Sequence, residues 1–215
     1  MDPIALLAET VRAAATPRRF RRGQALFVEG DRPERLFLVE RGWVLVSTIS
    51  AAGRETVLSV AGPGDLLGDV SAVDGGSRSA SATALTEVET AVAPAHVLAG
   101  ASRTPELAAA LLAILAGRLR EADRRRVEFA SLDTLGRVST RLLELVARFG
   151  HAEGDGYAIE LPLSQEQLAS WCAASREATV RALGTLRSLG AITTGRRSIV
   201  VLDLSVLRRH ATIQR

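Results

Sequence analysis

Lysine is absent from this 215-residue chain: all 27 basic residues are arginine, which we attribute to the codon composition of a GC-rich genome rather than to function. Cysteine is nearly absent too. The single Cys172 excludes an intramolecular disulfide framework and a four-cysteine iron–sulfur site. The three histidines, His96, His151 and His210, are scattered, so no metal centre is expected. Long apolar runs are also lacking: Leu107 to Gly117, the most apolar stretch, has 11 residues, and a bilayer helix needs roughly 20. Met1-Asp2-Pro3 has neither the basic start nor the apolar stretch of a secretion signal. Together these absences predict a cytoplasmic protein with no membrane contact. No nucleophile–base pair, metal cluster or Walker loop is visible either, so no catalytic residue is assigned and no enzyme is expected.

What is present is ordinary in amount and uneven in place. A chain of 47% hydrophobic and 24% charged residues is long enough for one or two domains with real cores. The net charge of +3 is not spread evenly: residues 1–136 carry 16 arginines against 17 acids, and residues 137–215 carry 11 against 7. The C-terminal part is the one suited to a polyanion.

The pattern of elements changes twice along the chain. A short amphipathic helix around Ile4–Ala14 precedes β-rich segments at Ala25–Val28, Leu36–Val39, Trp43–Ile49, Thr56–Val60, Ser79–Ala84 and Val88–Ala93, separated by glycine-bearing turns. Many short strands at regular spacing predict a barrel or double-sheet jelly roll. From Thr104 to Ser131 the period is helical. Leu112, Leu115, Leu119, Ala122, Arg126 and Phe129 recur at spacings of three and four as a coiled-coil-like seam, and Leu107, Leu111 and Ile114 form a second stripe that can pack on the barrel. Two stripes call for two partners, either within a single domain or with a second copy through residues 104–131. Leu132–Arg137 is expected to break the helix and act as the hinge. A further helix, Val138–Phe149, then leads into a polar loop, Gly150–Tyr157.

The most informative stretch is Leu163–Leu186, which reads as two short helices joined by a tight turn. Ser164 with Gln167 three residues on is a capping box, and Ser175 can cap the second helix. On that helix Val180, Leu183 and Leu186 can face the core, while Arg176, Glu177 and Arg181 fall within an arc of about 140° at roughly 100° per residue. Arginine can donate bidentately to guanine and glutamate can accept from cytosine, so a G·C-rich half-site core is expected. An Arg-Glu-x-x-x-Arg pattern by itself is equally a solvated face. The context adds Gly190 as a stop, Ala191–Thr194, a Gly195-Arg196-Arg197 turn and a strand Ser198–Leu202: a two-stranded wing whose arginines can reach phosphate.

Within the predicted barrel, Gly68-Asp69-Val70-Ser71-Ala72 is followed after five residues by Arg78-Ser79-Ala80. A glycine bend, a carboxylate and an arginine make a nucleotide-sized anion site, or equally a barrel loop with one exposed arginine and one turn-capping aspartate.

These segments resemble the cyclic-AMP receptor protein and FNR (Crp/Fnr) family of bacterial regulators. Ser175, Arg176, Glu177 and Arg181 match its second-helix signature, which in the family contacts a TGTGA-type half-site, and Gln165 matches a backbone-contacting position. Ala173 stands where the family usually has a glycine in the turn, which predicts a strained or altered turn. Gly68, Arg78 and Ser79 match the family's phosphate-binding cassette, and Asp69 replaces its glutamate, shortening the reach toward a ribose by about 1.5 Å, one C–C bond. Ala122 and Asp123 stand where the cyclic-AMP receptor has threonine and serine facing the adenine; Asp123 can still pair with adenine or guanine.

The resemblance implies an α+β chain: an N-terminal cyclic-nucleotide-binding-like jelly roll (1–103), a dimerisation helix (104–132) and a C-terminal winged helix-turn-helix (133–215). It implies a homodimeric regulator of palindromic double-stranded DNA, with cyclic AMP or cyclic GMP as the effector, no obligatory cofactor, and RNA polymerase as a further candidate partner. Two alternatives stand beside it. One is a regulator of the same fold that acts constitutively or through a non-nucleotide effector; the other is a ligand-gated regulatory subunit or enzyme.

Overall fold

The computed structural model describes residues 3–51, 53–101, 104–160, 163–195 and 198–212. Internal contacts divide the chain into two units, Met1–Arg54 with Leu58–Ala122 and Glu55–Val57 with Asp123–Arg215.

The first unit opens with α1 (Pro3–Ala13) and continues through β1 (Thr16–Phe20), β2 (Ala25–Phe27), β3 (Arg35–Arg41), β4 (Val44–Ile49), β5 (Glu55–Ala61), β6 (Leu66–Leu67), α2 (Asp69–Asp74), β7 (Ser81–Ala84), β8 (Val88–Pro94), α3 (His96–Ala101) and α4 (Pro105–Ser131); the first three residues of β5 and the part of α4 from Asp123 onward belong to the second unit. The strands form two four-stranded sheets, ordered β1-β8-β3-β6 and β2-β7-β4-β5. One core lies between them, where Phe20, Phe37, Val39 and Val88 of one sheet meet Leu26, Val44, Ala82 and Ala84 of the other. A second core lies on the outer face of the first sheet, where Leu36 and Leu38 meet Leu7 and Val11 of α1, Leu98 of α3, and Leu107 and Leu111 of α4. Alternate residues of β3 therefore face opposite cores, which is why its centre, Leu-Phe-Leu-Val, is apolar without alternation. Leu107, Leu111 and Ile114 pack on this unit, as the second stripe of α4 predicts.

Strand β1 carries no apolar pattern to reveal it. Its sequence Thr-Pro-Arg-Arg-Phe buries only Phe20. It lies at the edge of its sheet, paired with β8, where exposed charge and a proline are tolerated.

The second unit holds α5 (Thr134–Phe149), β9 (His151–Glu153), β10 (Gly156–Ile159), α6 (Gln165–Trp171), α7 (Arg176–Ser188), β11 (Ile192–Gly195), β12 (Ser198–Val201) and α8 (Leu204–Ala211). Three expectations are corrected here. The break after α4 is shorter than 132–137, because Asp133 caps α5 at once by accepting from the Gly136 N–H at 2.8 Å. Gly136 lies inside the helix for another reason: a Cβ there would approach the His210 carbonyl of α8 to 2.8 Å. The expected polar loop Gly150–Tyr157 is instead largely a hairpin of β9 and β10, and β10 pairs antiparallel with β12. The wing thus belongs to a four-stranded sheet ordered β11-β12-β10-β9. Finally, Val180 does not face the core. Thr179, Ala182 and Leu186 are the buried residues of α7, and a polar Thr179 on the inner face is what misleads a purely apolar reading.

Candidate DNA-reading surface and effector pocket

Sequence-local capping builds the candidate DNA-reading surface. The Ser164 hydroxyl accepts from the Gln167 N–H and the Gln167 side chain accepts from the Ser164 N–H, each at 3.0 Å. The Ser175 hydroxyl accepts from the Ala178 N–H at 3.2 Å and so caps α7, which starts at Arg176. Between the helices Ala173 adopts φ +48°, a left-handed conformation that an L side chain occupies at a cost. Arg137 straps this turn. Its Nε donates to the Cys172 carbonyl at 2.8 Å, its Nη2 to the Ala173 carbonyl at 3.4 Å and its Nη1 to the Leu132 carbonyl at 2.5 Å.

Arg176, Glu177 and Arg181 are exposed on α7. Arg176 Nε donates to Gln165 Oε1 at 3.4 Å, so two of the expected DNA contacts are joined across the turn. Its own backbone N–H and the Ser175 hydroxyl hold the Glu177 carboxyl below its ordinary range, which keeps it an acceptor. At the other end of α7, Arg187 donates to Thr194 Oγ1 of β11 at 3.2 Å and ties the helix to the wing. Arg196 and Arg197 lie outside the described residues.

In the first unit the chain brings Gly68, Asp69 and Arg78 together and adds partners that the sequence does not announce. Gly68 precedes α2 at φ +83°, and a Cβ there would collide with the Arg78 guanidinium. Arg78 is buried: Nη1 donates to the Gly68 carbonyl at 2.8 Å and to Ser71 Oγ at 2.7 Å, Nη2 donates to the Arg35 carbonyl, and the guanidinium lies 4.5 Å from the Phe27 ring centre. Asp69 is equally buried and pairs with Arg118 of α4 at 3.0 Å. Burial raises the Asp69 carboxyl above its ordinary value, opposed by Arg118 and by the backbone N–H groups of Asp69 and Val70. Arg118 also donates to the Leu66 carbonyl at 2.8 Å. Ser79, Ala122 and Asp123 are exposed, and Asp123 pairs with Arg126 one turn along α4 at 3.1 Å. The sequence signal for Arg118 is its position as the first charge after the apolar run 107–117 of α4.

Residues 17–103 match the cyclic nucleotide-binding domain family and residues 136–210 the Crp-like helix-turn-helix domain. Over 212 residues the chain is 34% identical to the CRP-like cAMP-activated global transcriptional regulator of Mycobacterium tuberculosis, spanning 98% of this chain and 94% of that one. It is 32% identical over 195 residues to the cyclic AMP receptor protein of Thermus thermophilus, spanning 90% and 87%. The structure of FixK2 from Bradyrhizobium japonicum superposes with a TM-score of 0.83 at 25% identity, over 94% of this chain and 99% of that one. The chain belongs to the Crp/Fnr family of transcriptional regulators.

Helix-turn-helix regulators of the Crp family bind DNA and dimerise, and two features of this Crp/Fnr chain bear on that. On α4, Leu112, Leu119 and Phe129 are 67%, 62% and 62% exposed, which leaves much of the expected seam uncovered in a single chain. At the end of the same helix is a charge network that the sequence reading missed. Arg141 of α5 is buried between Glu128 of α4 and Glu144, with Nη1 donating to Glu144 Oε2 at 2.6 Å and Nη2 to Glu128 Oε2. Arg124 also donates to Glu128, and the Arg141 guanidinium lies 5.6 Å from the ring centre of Trp171 in α6. No spacing rule reveals Glu128 and Arg141 as partners, since they are on different helices.

Proposed function

We propose that the chain acts as a homodimer through the exposed seam of residues 104–131 and reads a palindromic double-stranded site with TGTGA-like half-sites through Arg176, Glu177 and Arg181. The observation that carries this is the exposed arc of those three side chains on a helix capped at Ser175, with Gln165 joined to Arg176. Gln165, Ser175 and the wing arginines Arg196 and Arg197 meet the phosphate backbone. We divide the chain into an effector domain (1–103), a dimerisation helix (104–132) and a DNA-binding domain (133–215). A small effector, cyclic AMP or cyclic GMP, bound among Gly68, Asp69, Arg78, Ser79, Ala122 and Asp123, biases the dimer toward a pose with its reading helices about 34 Å apart. It can do so only by binding the two poses unequally. Such a protein works in the cytoplasm, beside RNA polymerase, without catalysis of its own.

Selection of bound fragments from random DNA, with and without each cyclic nucleotide, tests this reading. Arg176→Ala and Arg181→Ala should each relax preference at one base pair per half-site, at a cost of about 1 to 3 kcal/mol. Arg196→Ala and Arg197→Ala should weaken binding to all sequences and reduce the salt slope by about one phosphate contact. Uniform loss across sequences in both α7 variants would remove the base-reading assignment.

One observation favours a second reading of the pocket. The Arg78 guanidinium already serves Gly68, Ser71 and Arg35, and Asp69 already holds Arg118. A regulator with these internal partners can act without a nucleotide. Calorimetric titration with both nucleotides separates the two readings: binding of neither at millimolar concentration, with tight dimeric DNA binding retained, selects the constitutive form.

A further inference from the structure

The buried residues Thr179, Ala182 and Leu186 fix the rotational phase of α7. Taking Arg176 as zero, at roughly 100° per residue those three cluster near 270°, while Val180 falls at about 40°, Gly184 at about 80°, Glu177 at about 100° and Arg181 at about 140°. Val180 therefore stands inside the polar arc, between Arg176 and Glu177, and is 40% exposed. One turn on, Gly184 adds no side chain, and a Cβ there would meet nothing closer than Arg187 at 3.9 Å, so the helix surface beside Val180 is low and open.

An exposed valine contributes little to the free protein at this position. It is a weaker helix former than alanine or leucine, because branching at Cβ restricts its rotamers, and its apolar surface is left in water. The covering must come from whatever the arc meets. On the reading proposed above, that is the floor of a DNA major groove, where the apolar group on offer is the C5-methyl of thymine.

We propose that Val180 is a specificity-determining residue, its isopropyl group seated on a thymine C5-methyl and so selecting an A·T pair beside the pairs read by Arg176 and Arg181. This rests on the DNA-reading function of α7, and the test keeps the two separable. In the site selected by the full-length protein, each thymine is replaced in turn by deoxyuridine, in both half-sites, and affinity is measured by fluorescence anisotropy. Deoxyuridine preserves the pairing and removes only the methyl.

At one position the unmodified protein should lose about three- to fivefold in affinity per half-site, the value of one buried methyl-sized group. Val180→Ser should lose that sensitivity and bind the thymine and uracil sites alike, whereas Val180→Ile should retain it. Both variants should melt with the parent, since the position is exposed. Specific, tight binding with no uracil-sensitive position, or an equal uracil penalty in Val180→Ser, overturns the assignment of Val180 alone. Equal affinity for selected and scrambled DNA overturns base reading by α7, and this assignment with it.

Discussion

Replacing Arg141 by methionine tests whether the buried charge network holds α4, α5 and α6 together. The side chains of Arg141 and Glu128 are 3% and 8% exposed, so neither charge is solvated. Removing the guanidinium leaves the Glu128 and Glu144 carboxylates facing a thioether on their buried side, with Arg124 and Arg125 on the more exposed side, and breaking a buried pair from one side costs about 3 to 5 kcal/mol. That range includes the contact with Trp171, worth about 0.5 to 2 kcal/mol. Glu128→Gln should be milder, at about 1 to 3 kcal/mol, because Arg141 keeps its 2.6 Å contact to Glu144. The double variant Glu128→Gln/Arg141→Met should cost less than the sum of its single changes by about 2 kcal/mol, the coupling expected of residues in direct contact. Urea unfolding followed by Trp171 fluorescence, in a Trp43→Phe background, reads all four proteins. A loss below about 1 kcal/mol for Arg141→Met, or strict additivity in the double variant, would refute the reasoning from burial.

Three further outcomes follow from single residues. Ala173→Gly should raise the urea midpoint by the equivalent of about 0.5 to 1 kcal/mol, since relief of a left-handed alanine, about 1 to 2 kcal/mol, exceeds the added entropy cost of glycine. The Cys172 thiol, pushed up to about 12 by burial, should resist a disulfide reagent at pH 8 in the native protein and react fully in denaturant; because its pKa is raised from 9.0, the stability it contributes is complete below that value and is lost as pH rises toward about 12. Asp69 carries the same sign at lower pH: its contribution is complete below 3.8 and is lost as pH rises through the higher folded-state value, so thermal melts should show Asp69→Asn gaining on the parent across that interval.

The winged helix-turn-helix was largely legible because its determinants are local. Ser164, Gln167 and Ser175 act on N–H groups within three residues of themselves, so their roles follow from spacing. The strands whose apolar residues face a core were legible for a similar reason. What escaped was set by distant partners. Strand β1 is held by β8, some seventy residues away by sequence. The β9–β10 hairpin, polar and exposed along β9, is ordered by pairing with β12. Val180 was misplaced because the inner face of α7 is completed by Thr179, a residue that apolar periodicity passes over.

The pocket shows the same distinction within one cluster. Gly68 and Arg78 are ten residues apart and answer to a motif; the reason for the glycine is the space that the arginine occupies. Arg118 is forty residues beyond Arg78 on a different element, and its pairing with Asp69 changes what the carboxylate is for. An aspartate one methylene shorter than glutamate reads, from sequence, as a ligand contact with reduced reach. In the fold it is a buried anion with a cation already 3.0 Å away, and an uncompensated carboxylate at that depth would be far costlier than the pair. On the proposed reading, a cyclic nucleotide bound here would compete for Asp69 with Arg118 and for Arg78 with Ser71 and two backbone carbonyls. The affinity of such a site would be the difference between those two sets of contacts, and motif matching registers only one of them.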